Sequence, residues 1–456
     1  VPIGAQAAPL DLREIVARLQ ARAWARIGVD EGALAERFEQ RRQAYRRLAD
    51  AAPGYLDFDW GLDPSVTLDH GLVGSLEEMF SITPATPLQD PALQAWLQLV
   101  WRYTAVHLPF QSDYVRDVIL ATAPTGDFNA MAVPLGDRGA IVVEEGLVRL
   151  ARRLCALVTP LLFFERDGAI LVRTKQQVEA FVAADEGPCF DIAQLFIDYI
   201  TQGEVDFPSP RLAGSSLVER YADTLFQSFI AFVLWHEALH LEVGCGNPTA
   251  VNHESVERDA ERMAAALAEA CLRAGLTLDP ERLRQTYRHQ REESDADAYA
   301  MIRVAVYGSR TNSLPGNVTG AGAFLLALDT VHRMLTQIVS PELFAREQAS
   351  DLAQLKAAAF LGGRDHPHPR VRRAEVIGLI SALDPGVGAM VGFEIDRLAL
   401  VFDRVWGLLA ATIALEHDRI GAAASRWLTP ASADRERMIR ALAPLDGIAW
   451  ITDAAD

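Results

Sequence analysis

The chain is 456 residues long, half of them hydrophobic, with a formal net charge of −18 at pH 7. This composition excludes disorder over most of the length, and the acidic excess argues against a general nucleic-acid or anionic-membrane binder. Four cysteines, Cys155, Cys189, Cys245 and Cys271, form no CxxC pair, which excludes zinc-knuckle and thioredoxin-type motifs and suits a reducing compartment.

Residues 10–50 alternate apolar and charged positions at helical spacing and predict one or two amphipathic helices. Residues 51–95, rich in Pro, Asp and Gly, read as irregular with a short helix near 75–80. The next helix spans about 90–105, with Trp96 and Trp101 inside. Strands are expected at 118–120, 128–133 and 140–144, with a turn over 135–139. A helix follows over about 145–157. Residues 160–215 hold a strand at 169–173 and two helices, then a Pro/Gly/Ser stretch. From Leu217 the pattern is mainly helical, over 217–243, 254–275, 280–306, 321–338, 372–384 and 393–425. Residues 308–320 read as a loop, and the glycosylation-type triplet Asn317-Val318-Thr319 is placed in it. No charge-free apolar run reaches the ~18 residues needed to span a bilayer. No basic-then-apolar signal stretch opens the chain. A soluble, cytoplasmic protein without an integral membrane segment is expected.

The chemistry concentrates at His236-Glu237-Ala238-Leu239-His240. HExxH on a helix sets two imidazoles one turn apart on one face, able to share one metal ion, with the glutamate in reach of a water. Phe229, Val233, His236 and His240 fall on one helical stripe. The bland reading is a buried helix with two hydrogen-bonded core histidines.

Catalytic zinc takes three protein ligands. Position 246 is Gly, so the HExxHxxGxxH arrangement is excluded. Two later segments offer a carboxylate. Glu293 and Asp297 lie at i and i+4 on one face of a helix, and a buried carboxylate pair needs a cation or hydrogen bonds. Glu293 as ligand, with Asp297 hydrogen-bonding a ligating histidine, is the preferred solution. Glu257, with Glu261, is the competitor, although Arg258 and Arg262 suit a solvated face there.

These residues resemble the zinc peptidases of the HtpX and CAAX prenyl protease type, a gluzincin family. Four motifs occur in the family's order. Phe128-Asn129-Ala130-Met131-Ala132 through Ile141-Val142-Val143-Glu144-Glu145-Gly146-Leu147 looks like its strand, turn, strand and helix start. His236–His240 is the HExxH, Glu293–Asp297 is similar to its Glu-x-x-Ala-Asp signature, and Asp365-His366-Pro367 with Arg372 looks like its His-Pro motif and trailing arginine. The resemblance covers about 115–380. It implies that His236, His240 and Glu293 bind one zinc ion per chain, that Glu237 is the general base and that Asp297 supports the ligands. It also implies that His366 and Arg372 face the substrate or the developing oxyanion. The strand carrying Asn129 and Ala130 would be the edge along which an extended peptide lies.

The stretch between Gly146-Leu147 and HExxH is longer than the family's short helix, which points to an insertion at about 160–215. Many members are membrane-embedded, whereas this chain shows no spanning run. Ala298 stands where the family often has Arg.

The expected fold class is therefore α+β, mainly α. A zincin-like metallopeptidase domain over 111–380, with a small mixed sheet, stands between helical regions at 1–110 and 381–456. The expected function is a zinc-dependent endopeptidase acting on a protein or peptide substrate, with no nucleic-acid partner. The alternatives are a peptidase-like scaffold used mainly for protein binding, and a sensor peptidase with one specific target. His368, between two prolines, reads as a turn residue, and His332 is isolated and carries no role.

Overall fold

The computed structural model describes residues 12–26, 36, 39, 91–106, 118–124, 129–135, 138–202, 216–244, 258–262, 264–265, 280–311, 313–362 and 366–424. The short helix expected at 75–80 lies outside them, as do Phe128, Cys245, Glu257, Cys271 and Asp365. The described chain is mainly helical with a small mixed sheet. In order its elements are α1 (Leu12–Arg26), α2 (Pro91–Val106), β1 (Ile119–Ala123), β2 (Ala130–Leu135), β3 (Arg138–Glu144), α3 (Glu145–Leu162), β4 (Phe163–Arg166) and β5 (Ala169–Val172). Then come α4 (Lys175–Ala184), α5 (Gly187–Gln202), α6 (Leu217–Gly244), α7 (Pro280–Arg310), α8 (Leu314–Val339) and α9 (Pro341–Ala349). The last are α10 (Leu352–Gly362), α11 (Pro369–Leu383), α12 (Pro385–Leu415) and α13 (His417–Ala424). Two compact units share them. The first comprises Val1–Leu171, Gly203–Asn247 and Arg303–Gly320, and the second Val172–Gln202, Pro248–Ile302 and Ala321–Asp456.

In the first unit the sheet order is β1-β3-β2, with β1 parallel and β2 antiparallel to β3. Alternation along β3 sends Ala140 and Val142 to one face, where they pack with Leu12 and Val16 of α1 and with Ala121 and Ala123. Gly139 is on the other face, and a Cβ there would stand 2.5 Å from Leu241 Cδ2 of α6. The missing side chain thus lets the sheet approach the helix that carries HExxH. That helix is buried nearly all round: Leu225, Phe226, Phe229, Ile230, Phe232 and Trp235 are core residues. Trp96 of α2 stacks on Phe226 at 4.5 Å, and the Trp235 indole N–H donates to Thr104 Oγ1 at 3.2 Å. Arg152 of α3 pairs with buried Asp223 of α6.

The structure corrects the expected loop at 308–320. α7 runs to Arg310 and α8 begins at Leu314, so Pro315 and Gly316 lie in a first helical turn. A proline costs little there, because its missing N–H would have had no intrahelical partner. Asn317 is fully buried: its Nδ2 donates to the Ser313 carbonyl at 2.9 Å, and its Oδ1 accepts from Ser228 Oγ at 2.6 Å. The triplet expected in a loop is a packing element. Gly320 completes the approach, since a Cβ there would fall 2.2 Å from the Leu225 carbonyl oxygen.

In the second unit, α12 lays a stripe of Val391, Ile395, Leu398, Val405, Leu409 and Ile413 against α4, α5, α11 and α13. Buried Arg397 donates to the Arg173 carbonyl at 2.7 Å and pairs with Glu394. Among the described residues α12 is the one helix long and apolar enough to cross a membrane by length and composition. A search for charge-free runs passes over it because Asp403 and Arg404 interrupt it. Two short helices, α9 and α10, were not expected. Ser340 caps α9 by accepting from the Leu343 N–H, and Asp351 and Gln354 close a reciprocal box at the start of α10.

Candidate metal centre

The candidate residues fall into two sets, one in each unit. In the first unit, the apolar run before His236 drives α6 into the core and carries the HExxH turn with it. His236 is buried and His240 half-buried. Their Nε2 atoms are 3.2 Å apart and their ring centroids 4.8 Å apart. Two nitrogens bound at about 2.0–2.1 Å to one tetrahedral ion stand about 3.3 Å apart, so the pair has the spacing that shared coordination needs. Glu237 is buried beside His236. β2 packs against α6 as well as β3, and it is an edge strand of the described sheet. Asn129 precedes β2 and is exposed, and its carbonyl accepts from the Glu144 N–H at 3.1 Å. Ala130 opens the strand, half-buried and opposite Val143.

In the second unit, α7 places Glu293 and Asp297 one turn apart, and the start of α11 meets them. Arg372 grips Asp297 with two bonds, Nε to Oδ2 and Nη2 to Oδ1, each 2.7 Å. Its Nη1 stands 3.6 Å from Glu293 Oε2. Arg372 is thus turned inward onto the two carboxylates. His366 Nδ1 lies 3.0 Å from Glu293 Oε2, yet its side chain is 69% exposed against 10% for Glu293. Of the two arms on Glu293, one is locked and the other reaches solvent. A recess opens in the same unit, lined by Tyr287, Gln290, Ser294, Lys356, Pro367 and Glu375 among others. Glu375 joins its walls, accepting from Lys356 Nζ at 2.6 Å and from Ser294 Oγ.

The described residues contain His/Glu groups that could hold a metal ion. One was not foreseen from sequence: His332, Glu347 and His368, within the second unit. These residues sit on α8, on α9 and just before α11, and no linear spacing links them. Comparison of the chain with family models, with curated proteins and with solved structures gives no match.

Proposed function

We propose that the chain is a zinc-dependent endopeptidase of the gluzincin kind, in which His236, His240 and Glu293 hold one zinc ion. The observation that carries this reading is the imidazole pair of α6, with Nε2 atoms 3.2 Å apart and Glu237 adjacent in a buried turn. Two imidazole nitrogens and one carboxylate are a donor set that zinc accepts. Bound zinc would polarise the scissile carbonyl and acidify a water at neutral pH.

The chain's own residues supply the rest. Glu237 takes the proton of the attacking water and returns it to the leaving amine. His366, exposed and tethered to Glu293, donates to the oxygen that gains charge in the transition state. Arg372 is a positioning residue. Through Asp297 and Glu293 it fixes the carboxylate face of α7. An extended peptide adds along β2, meeting Asn129 and Ala130 first, through backbone hydrogen bonds.

The test is elemental analysis of the full chain beside the Glu293→Ala and Glu257→Ala variants, with peptide hydrolysis by Glu237→Gln. Glu293→Ala is expected to lose one equivalent of zinc and Glu257→Ala to lose none. Glu237→Gln is expected to keep its zinc and lose turnover. Zinc retained by Glu293→Ala would remove the third ligand, and an active Glu237→Gln enzyme would defeat the mechanism.

A further inference from the structure

We propose that His332, Glu347 and His368 form a second metal centre, a buried site for one divalent cation of the zinc type within the second unit. Their donor atoms all lie within 4.8 Å of one another. His332 Nε2 stands 3.1 Å from Glu347 Oε2, and His368 Nε2 stands 3.7 Å from the same oxygen. The two rings meet edge to face at 4.7 Å. Two ring nitrogens and one carboxylate oxygen, drawn from three separate elements, converge on one point. That is the donor chemistry of first-row divalent ions.

The orientation of His368 argues against a plain ion pair. Its side chain is 2% exposed, yet Nε2 meets no hydrogen-bond partner among the described residues. The 3.7 Å to Glu347 is beyond hydrogen-bond length. An imidazole nitrogen that faces a buried carboxylate but stands beyond hydrogen-bond length has the placement of a ligand rather than of a counter-ion.

The nearby cations have partners of their own. Arg333 pairs with Asp329 at 3.3 Å, and Arg370 donates to the carbonyls of Glu347 and Ser350. Thr336 Oγ1 lies 3.5 Å from His332 Nε2. His368 Nδ1 accepts from the Arg370 N–H at 3.1 Å, so the ion-free ring carries its proton on Nε2. For Nε2 to bind a metal that proton would move to Nδ1, giving up the cap bond from Arg370, a small loss against a metal–nitrogen bond.

This centre does not rest on the HExxH reading, and zinc stoichiometry separates the two. Chelator-stripped full chain is titrated with zinc chloride, as wild type, as His236→Ala/His240→Ala, and as that variant with Glu347→Gln added. The expectation is two equivalents, then one, then none. Cobalt(II) gives a second readout: a visible absorption band should persist in the His236/His240 variant and vanish with Glu347→Gln. One equivalent in the wild type that disappears in His236→Ala/His240→Ala overturns the proposal, and so does equal metal with and without Glu347→Gln. One equivalent that survives His236→Ala/His240→Ala and is lost with Glu347→Gln instead strikes the peptidase reading. Where the His236/His240 variant fails to fold, Glu347→Gln in the wild-type background decides, and unchanged zinc there overturns the proposal.

Discussion

His366 and Arg372 belong to one short stretch, yet they support different tests. Arg372 is buried against Asp297 with both bonds at 2.7 Å. Removing it leaves a carboxylate in the interior without its counter-ion. Arg372→Ala should cost about 3–5 kcal/mol in urea unfolding and, under the proposed function, lower zinc affinity about 10–100-fold. Arg372→Lys should recover only part of both, because an ammonium cannot make the planar two-point contact. His366 is largely exposed, so His366→Ala should leave stability within about 0.5 kcal/mol. It should lower kcat/KM about 10²–10³-fold if the ring meets the oxyanion. An unchanged kcat/KM would leave His366 as a tether of Glu293 only.

At the scale of elements, α6 was legible because its apolar run has one outcome, burial, and HExxH follows without a break. The strands β1 to β3 were legible from their short apolar runs. The start of α8 was not, because Leu-Pro-Gly-Asn has the composition of a loop. What decides there is tertiary: Asn317 finds Ser228 on α6, and Gly320 lets the backbones touch. A Cβ at 320 would meet a carbonyl oxygen, which cannot rotate away as a side-chain tip can. Gly320→Ala should therefore destabilise the chain by about 1–3 kcal/mol, read as a fall in Tm. No change in Tm would show that the two helices part without cost. α9 and α10 were missed because each is short, and their caps, Ser340 and Asp351, are visible only once the helices are known. The His332–Glu347–His368 group was beyond reach for the same reason, since three helices must pack before its donors meet.

For the whole molecule, pH acts on stability through that group. Burial alone would resist ionising Glu347, but the adjoining His332 and His368 outweigh it and hold the carboxyl well below the ordinary range. Burial lowers His368 from 6.5 to about 4. Both folded-state values are depressed, so between each ordinary and folded value the unfolded chain binds more protons. Stability of the metal-free chain should be full above pH 6.5 and decline toward pH 4, with His368 contributing up to about 1.4 kcal/mol per pH unit. Below that, protonation of Glu347 extends the loss. Thermal unfolding from pH 7 to pH 4 checks this against His368→Gln, whose decline should be shallower, and parallel curves would refute it. The Arg372–Asp297 clamp also has a consequence for synthesis. Its partners are 75 residues apart in the chain, so on the ribosome the carboxylates emerge well before the guanidinium that neutralises them. A nascent chain or a fragment ending before Pro369 has HExxH and Glu293 but lacks the lock on the α7 carboxylates. Under the proposed function, hydrolysis would be withheld until the later helix is made, which would protect neighbouring nascent chains from a half-built protease.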